Sequence, residues 1–480
     1  MSEGVCIYYS LLLINNLKIK SNIKFFLIKW IDVFGIKNAI ELSIVRISER
    51  LGLPVSSVTK SLTYLVENGL FEKELIFKTN KWSRYSYSTT VKLTRDLLHG
   101  DDPEKISQLG LVRNLLQPDV GLNCRNHKYH PVTIPDRLLL IILLYHSNSC
   151  GVVDCLSLND LAHLTRLTKS SIKSRITCLK RKGYIRSYIS GVNGKCLFKH
   201  KNGIFILNLK HPNFSSDSVN GFTLLFQSTT YTETSLGNNI AEANEIYSAA
   251  NFLLKPAKEN YTSFKYINLF KNNCDRLCFS EYFNEFIHIV PFFNEHPFTA
   301  KMQNFLQAKI NQYASTLLSR YWQQLVSEET NYEDKLKKII RQDSLGDLIM
   351  PDENTYEFPN RENICLLVNF IYDAACFLAK RIQTQLKCVE RYPLAGMDFI
   401  IIPSVDDFRV YLAVEAFYKT PSAPSNKTNI VIKILADYTN PTRTIIDEKY
   451  KLTKDDEFMY GLLSKLEAKI YPTKNKNCQK

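Results

Sequence analysis

Residues 47–70, ISERLGLPVSSVTKSLTYLVENGL, recur 114 positions later as residues 161–184, LAHLTRLTKSSIKSRITCLKRKGY. Aligned without gaps, Leu53, Ser56, Ser57, Thr63, Leu65 and Gly69 meet Leu167, Ser170, Ser171, Thr177, Leu179 and Gly183. In the first copy Ile47, Leu51, Val58, Leu62 and Leu65 keep the spacing of one helical face. Val58 meets Ile172 and Leu62 meets Ile176, so the apolar face recurs with the identities. A repeat of this kind requires each copy to bury the same face, which restricts the fold before any composition is considered.

Gly52 and Pro54 interrupt the face, and the residue before a proline is pushed out of the helical region. A first helix is therefore expected to end near Gly52. Ser56 and Ser57 can cap or line the start of a second helix, which Asn68 and Gly69 close. Residues 71–92 then read as two strands around the polar tip Lys78-Thr79-Asn80-Lys81. A short helix, a tight turn, a longer helix and a hairpin resemble the winged-helix family of DNA-binding domains. Their double occurrence resembles tandem winged helix-turn-helix proteins of the bacterial transcription-regulator or replication-initiator type. In the second copy Thr165 stands where Leu51 packs and Arg166 replaces Gly52, so a longer or looser turn is expected there.

The expected fold class is mainly α with α+β parts: two tandem winged-helix domains and an α+β C-terminal domain with an antiparallel sheet. The expected boundaries are 1–98 for the first winged-helix domain, 99–131 for a linker and 132–211 for the second winged-helix domain. A Ser, Thr and Asn-rich linker over 212–240 and a dimerisation or effector domain over 241–480 complete the chain. Residues 23–34, with Phe26, Ile28, Trp30, Ile31 and Phe34 inward, fit an opening helix, and residues 137–145 a short buried one. Further on, long amphipathic helices are expected over 300–326 and 363–389, strands over 398–405, 408–418 and 429–437, and a closing helix over 457–470. The width of the two long apolar faces suggests a homodimer through the C-terminal half.

Charge is unevenly placed. Residues 1–214 hold 31 Lys and Arg against 15 Asp and Glu, whereas residues 215–480 hold 30 against 32. The whole net charge of +14 thus comes from the part carrying the repeat, which favours a polyanionic partner for that part. Double-stranded DNA is the expected partner. The first reading helix would present Ser56, Ser57, Thr59, Lys60 and Thr63, and its wing Lys78, Lys81 and Arg84 around Trp82 and Tyr85. The second helix would present Lys169, Ser170, Ser171, Lys173, Ser174 and Arg175, with Lys180, Arg181 and Lys182 at its end. Its wing, SGVNGK, would add Lys195, followed by Lys199, His200 and Lys201. Short hydroxyls and cations suit phosphates and base edges.

Nothing points to catalysis, a cofactor or a resident metal. There is no phosphate-binding glycine loop, no G-x-S-x-G and no H-E-x-x-H. Cys124, His127 and His130 cluster, but no second pair of short spacing completes a zinc site, so a polar connector is expected. Asp398, Glu415 and Lys419 depart from the spacing of a metal-dependent nuclease and read as strand-edge charges. Twelve scattered cysteines without a secretory signature suggest reduced thiols and a cytoplasmic protein. No stretch of about 20 uncharged apolar residues suggests a membrane span. The functional expectation is a sequence-specific DNA-binding regulator of transcription. The alternatives are a plasmid or phage replication initiator and, more remotely, a nuclease.

Overall fold

The computed structural model describes residues 19–36, 38–78, 83–91, 93–94, 108–117, 132–194, 197–211, 214, 221–228, 292, 299–325, 333–346, 360–387, 394–402, 411–418, 430–436, 445–447, 450–453, 457, 460 and 462. These are mixed helix and sheet, an α+β arrangement. The chain forms two compact units. One comprises residues 1–182 and 211–218, the other residues 183–210 and 219–480.

The first unit begins with α1 (Ser21–Phe34), α2 (Ile44–Leu51) and α3 (Val55–Glu67), followed by strands β1 (Phe71–Lys78) and β2 (Ser83–Thr89). It continues with α4 (Leu109–Leu116), α5 (Ile134–Tyr145), the two-residue strand β3 (Val152–Val153), α6 (Leu158–Thr165) and α7 (Lys169–Arg181). The repeat is carried into the backbone: adding 114 to the bounds of α2 and α3 gives those of α6 and α7. The N-caps also correspond, since the Ser43 side chain accepts from the Arg46 N–H and the Ser157 side chain from the Asp160 N–H. Val58 and Ile172, Leu62 and Ile176, and Leu65 and Leu179 are all buried.

The turn expected to be longer in the second copy is not. Gly52 closes α2 at φ 58°, ψ 38°, and Arg166 closes α6 at φ 57°, ψ 30°. An L side chain here occupies the left-handed region that glycine enters without penalty. Thr165, in place of Leu51, stays fully buried because its Oγ1 donates to the Leu161 carbonyl at 2.6 Å. That internal bond makes the hydroxyl compatible with an apolar position.

Residues 23–31 of α1 are buried on every side, not along a single stripe. This is the pattern of a helix packed all round. It packs against α2, α3 and α5, and α5 packs in turn against α4 and α6. Leu138–Leu144, all buried, make α5 a second internal helix. Trp30 is fully buried among the rings of Phe26, Phe34 and Phe71. Both helix pairs thus belong to one packed body.

The second unit opens with β4 (Ile185–Ile189) and β5 (Ile204–Leu207), which pair antiparallel. Then come β6 (Gly221–Ser228), α8 (Thr299–Arg320), α9 (Glu333–Leu345), α10 (Arg361–Leu386), β7 (Asp398–Ile402), β8 (Tyr411–Phe417), β9 (Ile430–Ala436) and β10 (Ile445–Asp447). Five strands form a sheet in the order β10-β9-β6-β8-β7. Neighbours run antiparallel except β6 and β9, which are parallel, so the sheet is mixed.

Strand β6 corrects the reading of 212–240 as a linker. It is the middle strand, with Phe222, Leu224, Leu225 and Phe226 all buried. A strand buried on both faces shows no alternation, and its polar flanks hide it in the sequence. The edge strand β7 is covered by α8: Ser319 and Ser315 accept through Oγ from the Phe399 and Ile401 N–H groups at 2.8 and 3.0 Å. This satisfies donors that an edge otherwise leaves open.

Helix α10 is long and apolar enough by composition to cross a membrane, yet Ile364, Leu367, Ile371, Ala375, Leu378 and Ile382 lie buried inside the unit. It packs against α8 and α9, and α8 packs on β7. The apolar faces that suggested a dimer are therefore used within the chain. Apart from Glu457, Tyr460 and Leu462, the expected helix over 457–470 lies outside the described residues, as do the cluster Cys124, His127 and His130 and most of the linker at 99–131.

Candidate nucleic-acid interface

On α3, Ser56, Thr59, Lys60 and Thr63 are exposed at helical intervals of three and four, opposite the buried Val58, Leu62 and Leu65. Ser57 is half-buried. No side chain caps the start of this helix, whose N-cap position is Pro54, so neither serine takes the capping role. Thr59 Oγ1 donates to the Val55 carbonyl at 3.0 Å, which orients its methyl group and leaves an acceptor lone pair outward. The face is thus short hydroxyls around one lysine.

On α7, Lys169, Ser170, Lys173, Ser174 and Thr177 are exposed, with Arg181 one turn beyond Thr177. The helix contains no acidic residue. Thr168 caps it, accepting from the Ser171 N–H at 3.2 Å, and its Oγ1 lies 3.1 Å from Ser170 Oγ. Ser171 is half-buried. This second face carries more charge than the first; Ser170 and Thr177 stand where Ser56 and Thr63 do, while Lys173 and Ser174 exchange the order of Thr59 and Lys60.

Arg175 is placed otherwise than its expected role at the duplex required. Its guanidinium donates to Asp136 Oδ1 at 2.7 Å and to Thr133 Oγ1 at 3.1 Å. Both acceptors belong to the capping box that starts α5. Lys182 approaches the same carboxylate at 4.0 Å. Arg175 therefore ties α7 to α5, an inward course that no local pattern around it signals. Burial also holds the Lys180 ammonium below its ordinary range.

The first hairpin stands exposed over most of β1, where Glu72 to Lys78 are all solvent-facing. A bulge between Leu75 and Phe77 breaks the register, and Leu75, Ile76 and Phe77 are exposed at 52, 43 and 50%. Lys73 Nζ lies 3.8 Å from the Tyr85 ring centroid. Lys78 is exposed, while Arg84 donates from both Nε and Nη2 to the Glu41 carbonyl at 3.2 and 2.7 Å. Lys81 and Trp82 lie outside the described residues.

The second hairpin loop is fastened down within the second unit. Val192 and Lys201 form a bridge, and the Gly194 N–H donates to the Phe198 carbonyl at 3.1 Å. Phe198, at φ 52°, is fully buried against the Phe305 ring, and its N–H donates to the Ser344 carbonyl at 2.6 Å. Lys201 pairs with Asp343 at 3.6 Å, a carboxylate that also meets Lys309 and the Tyr313 hydroxyl. Lys199 and His200 are exposed, and Lys195 lies outside the described residues.

The residues considered for a nuclease do not form an open cluster. Glu415 is buried and paired with Arg186 of β4, whose Nη1 also reaches the Leu462 carbonyl at 3.4 Å. Lys419 lies outside the described residues. Among the described residues no group of three His, Cys, Asp or Glu could hold a metal ion.

Two lysines that carry no obvious message in the sequence prove central. Lys24 and Lys29 interrupt the apolar run of α1, and both are buried. Lys29 Nζ donates to the Leu51 carbonyl at the end of α2, and Lys24 Nζ donates to the Leu164 carbonyl at the end of α6, at 2.9 Å. Their only sequence signal is the presence of two amines in an otherwise core-like helix. Comparisons with family models, with curated proteins and with solved structures find no match for the chain.

Proposed function

We propose that the chain is a sequence-specific double-stranded DNA-binding protein, a transcription regulator that reads the duplex with two heads of the winged helix-turn-helix kind. The observation that carries this reading is the repeated helix pair, α2–α3 and α6–α7, whose second helices each turn a hydroxyl and lysine face outward. Such a face can place Lys60 or Lys173 against guanine or phosphate while the short hydroxyls approach base edges. The charge asymmetry supplies the long-range attraction. The exposed first hairpin, with Lys73 and Lys78, serves as a wing. For the second copy the contact rests on α7, because the loop after β4 is engaged elsewhere.

A single chain already offers two reading helices, so duplex recognition needs no dimer. Among the described residues the free thiols of Cys178, Cys365 and Cys376 support a reducing compartment such as the cytoplasm.

The test uses the full chain, since β4 and β5 belong to the second unit and a cut after residue 214 would separate them from it. A duplex recovered by selection from random DNA should bind with log K falling by about 0.9 per phosphate contact per decade of salt. Lys60→Ala should weaken the selected site by about 1–3 kcal/mol more than scrambled DNA. Absence of any selected sequence would overturn the reading. Sites at promoters would support a regulator, and repeated sites beside an origin would support an initiator instead.

A further inference from the structure

Helix α1 is shared by the two helix pairs. It packs against α2 and α3 of the first copy and against α5, on which α6 rests. Its two buried amines reach in different directions. Lys29 holds the carboxyl end of α2, and Lys24 holds the carboxyl end of α6. The Leu51 carbonyl directly precedes the left-handed turn at Gly52, and the Leu164 carbonyl lies two residues before the one at Arg166, each turn leading into a reading helix. The last carbonyls of a helix have no partner of their own and carry partial negative charge, so a buried ammonium is a strong ligand for them. The two turns, and the helices that leave them, are therefore pinned to one rigid rod.

We propose that α1 acts as a ruler: it fixes the separation of the two reading helices, so that the DNA target is one composite site of two elements at a single spacing, and Lys24 is the positioning residue that holds the second head to it. This rests on the DNA-binding reading above and adds to it the form of the target. Heads on a flexible tether would accept several spacings, because the loss of effective concentration with span is gradual. Heads fixed in one body bind together only when the geometry permits both, and lose the whole joint advantage otherwise.

The experiment measures binding of the full chain to the selected duplex and to variants with 2, 5 or 10 base pairs inserted between the protected elements, at one salt concentration. A duplex holding one element alone gives the reference. The expected result is that every insertion, including the 10-base-pair one that restores the helical phase, lowers affinity to that of the single element, a fall on the order of 100-fold. Lys24→Met should keep the single-element affinity and shrink the penalty for insertion to a few-fold, a change that mere loss of stability would not produce. Lys29→Met provides the matching variant for the first head. Retention of affinity by the wild-type chain across insertions would overturn the ruler while leaving DNA recognition standing. Failure to bind any selected duplex would overturn both, and the wild-type measurement alone decides the case if a variant does not fold.

Discussion

Gly52 and Arg166, 114 residues apart, hold the same left-handed backbone conformation at the same point of the two copies, φ 58° and φ 57°. A glycine enters this region freely, and an L residue there is strained by about 1 kcal/mol or more. The turn is thus imposed by the packing of the two helices around it and not by the residue that occupies it.

Two substitutions follow from that equivalence. Gly52→Ala should lower stability by about 1 kcal/mol, since it introduces a Cβ where none is accommodated without strain. Arg166→Gly should raise it by up to about 1 kcal/mol by removing the same strain. Thermal unfolding midpoints of the full chain measure both, and a lowered midpoint for Arg166→Gly would contradict the account.

Arg175 and Lys173 sit two residues apart on α7 and should behave oppositely. Arg175→Ala removes the main cationic partner of a buried Asp136 and should destabilise the first unit by about 1–3 kcal/mol, below the range for fully buried pairs because Arg175 keeps partial exposure. Lys173→Ala, on the exposed face, should change stability by less than about 0.5 kcal/mol and instead weaken DNA binding. Urea unfolding beside a binding titration separates the two effects.

The Lys24 ammonium is brought down to about 8 by burial and by the nearby Arg166. The unfolded chain keeps that proton up to the ordinary lysine range near 10.5. Between these values the unfolded state binds more protons, so stability rises with pH, and below about 8 the penalty for a buried charge is fully present. The stability of wild type relative to Lys24→Met should accordingly rise by on the order of 2–3 kcal/mol from pH 7 to pH 10. Cys376, whose thiol burial pushes up to about 11, acts in the opposite sense, but it is common to both proteins and cancels. Unfolding measured at both pH values in both proteins tests the sign, and a constant difference would refute it.

Glu415 and Arg186 form a buried ion pair that joins β8 to β4. Glu415→Gln should destabilise the second unit by about 3–5 kcal/mol, because it leaves a buried guanidinium without its counter-charge. The double variant Glu415→Leu with Arg186→Met should recover most of that loss. Hydrogen exchange of the β4 and β8 amides reports the effect locally.

The sequence by itself determined the two helix pairs and most of their outward residues, but neither the tightness of the turn at Arg166 nor the inward course of Arg175. Those features rest on contacts between residues three or four apart and on local capping, such as Ser157 with Asp160, which the periodicity of a single stretch records. The close of α3 at Asn68 and the exposure of Lys60 and Lys173 followed from it. Only the tertiary structure decided what depends on distant partners. Lys24 meets Leu164 across 140 residues, Arg175 meets Asp136 across 39, and Arg186 meets Glu415 across 229. Strand β6 could not be read as the middle of a sheet because its neighbours β8 and β9 lie far along the chain and its burial on both faces erases alternation. Whether a cation faces solvent or a carboxylate is set by which element packs beside it, and no local pattern encodes that choice.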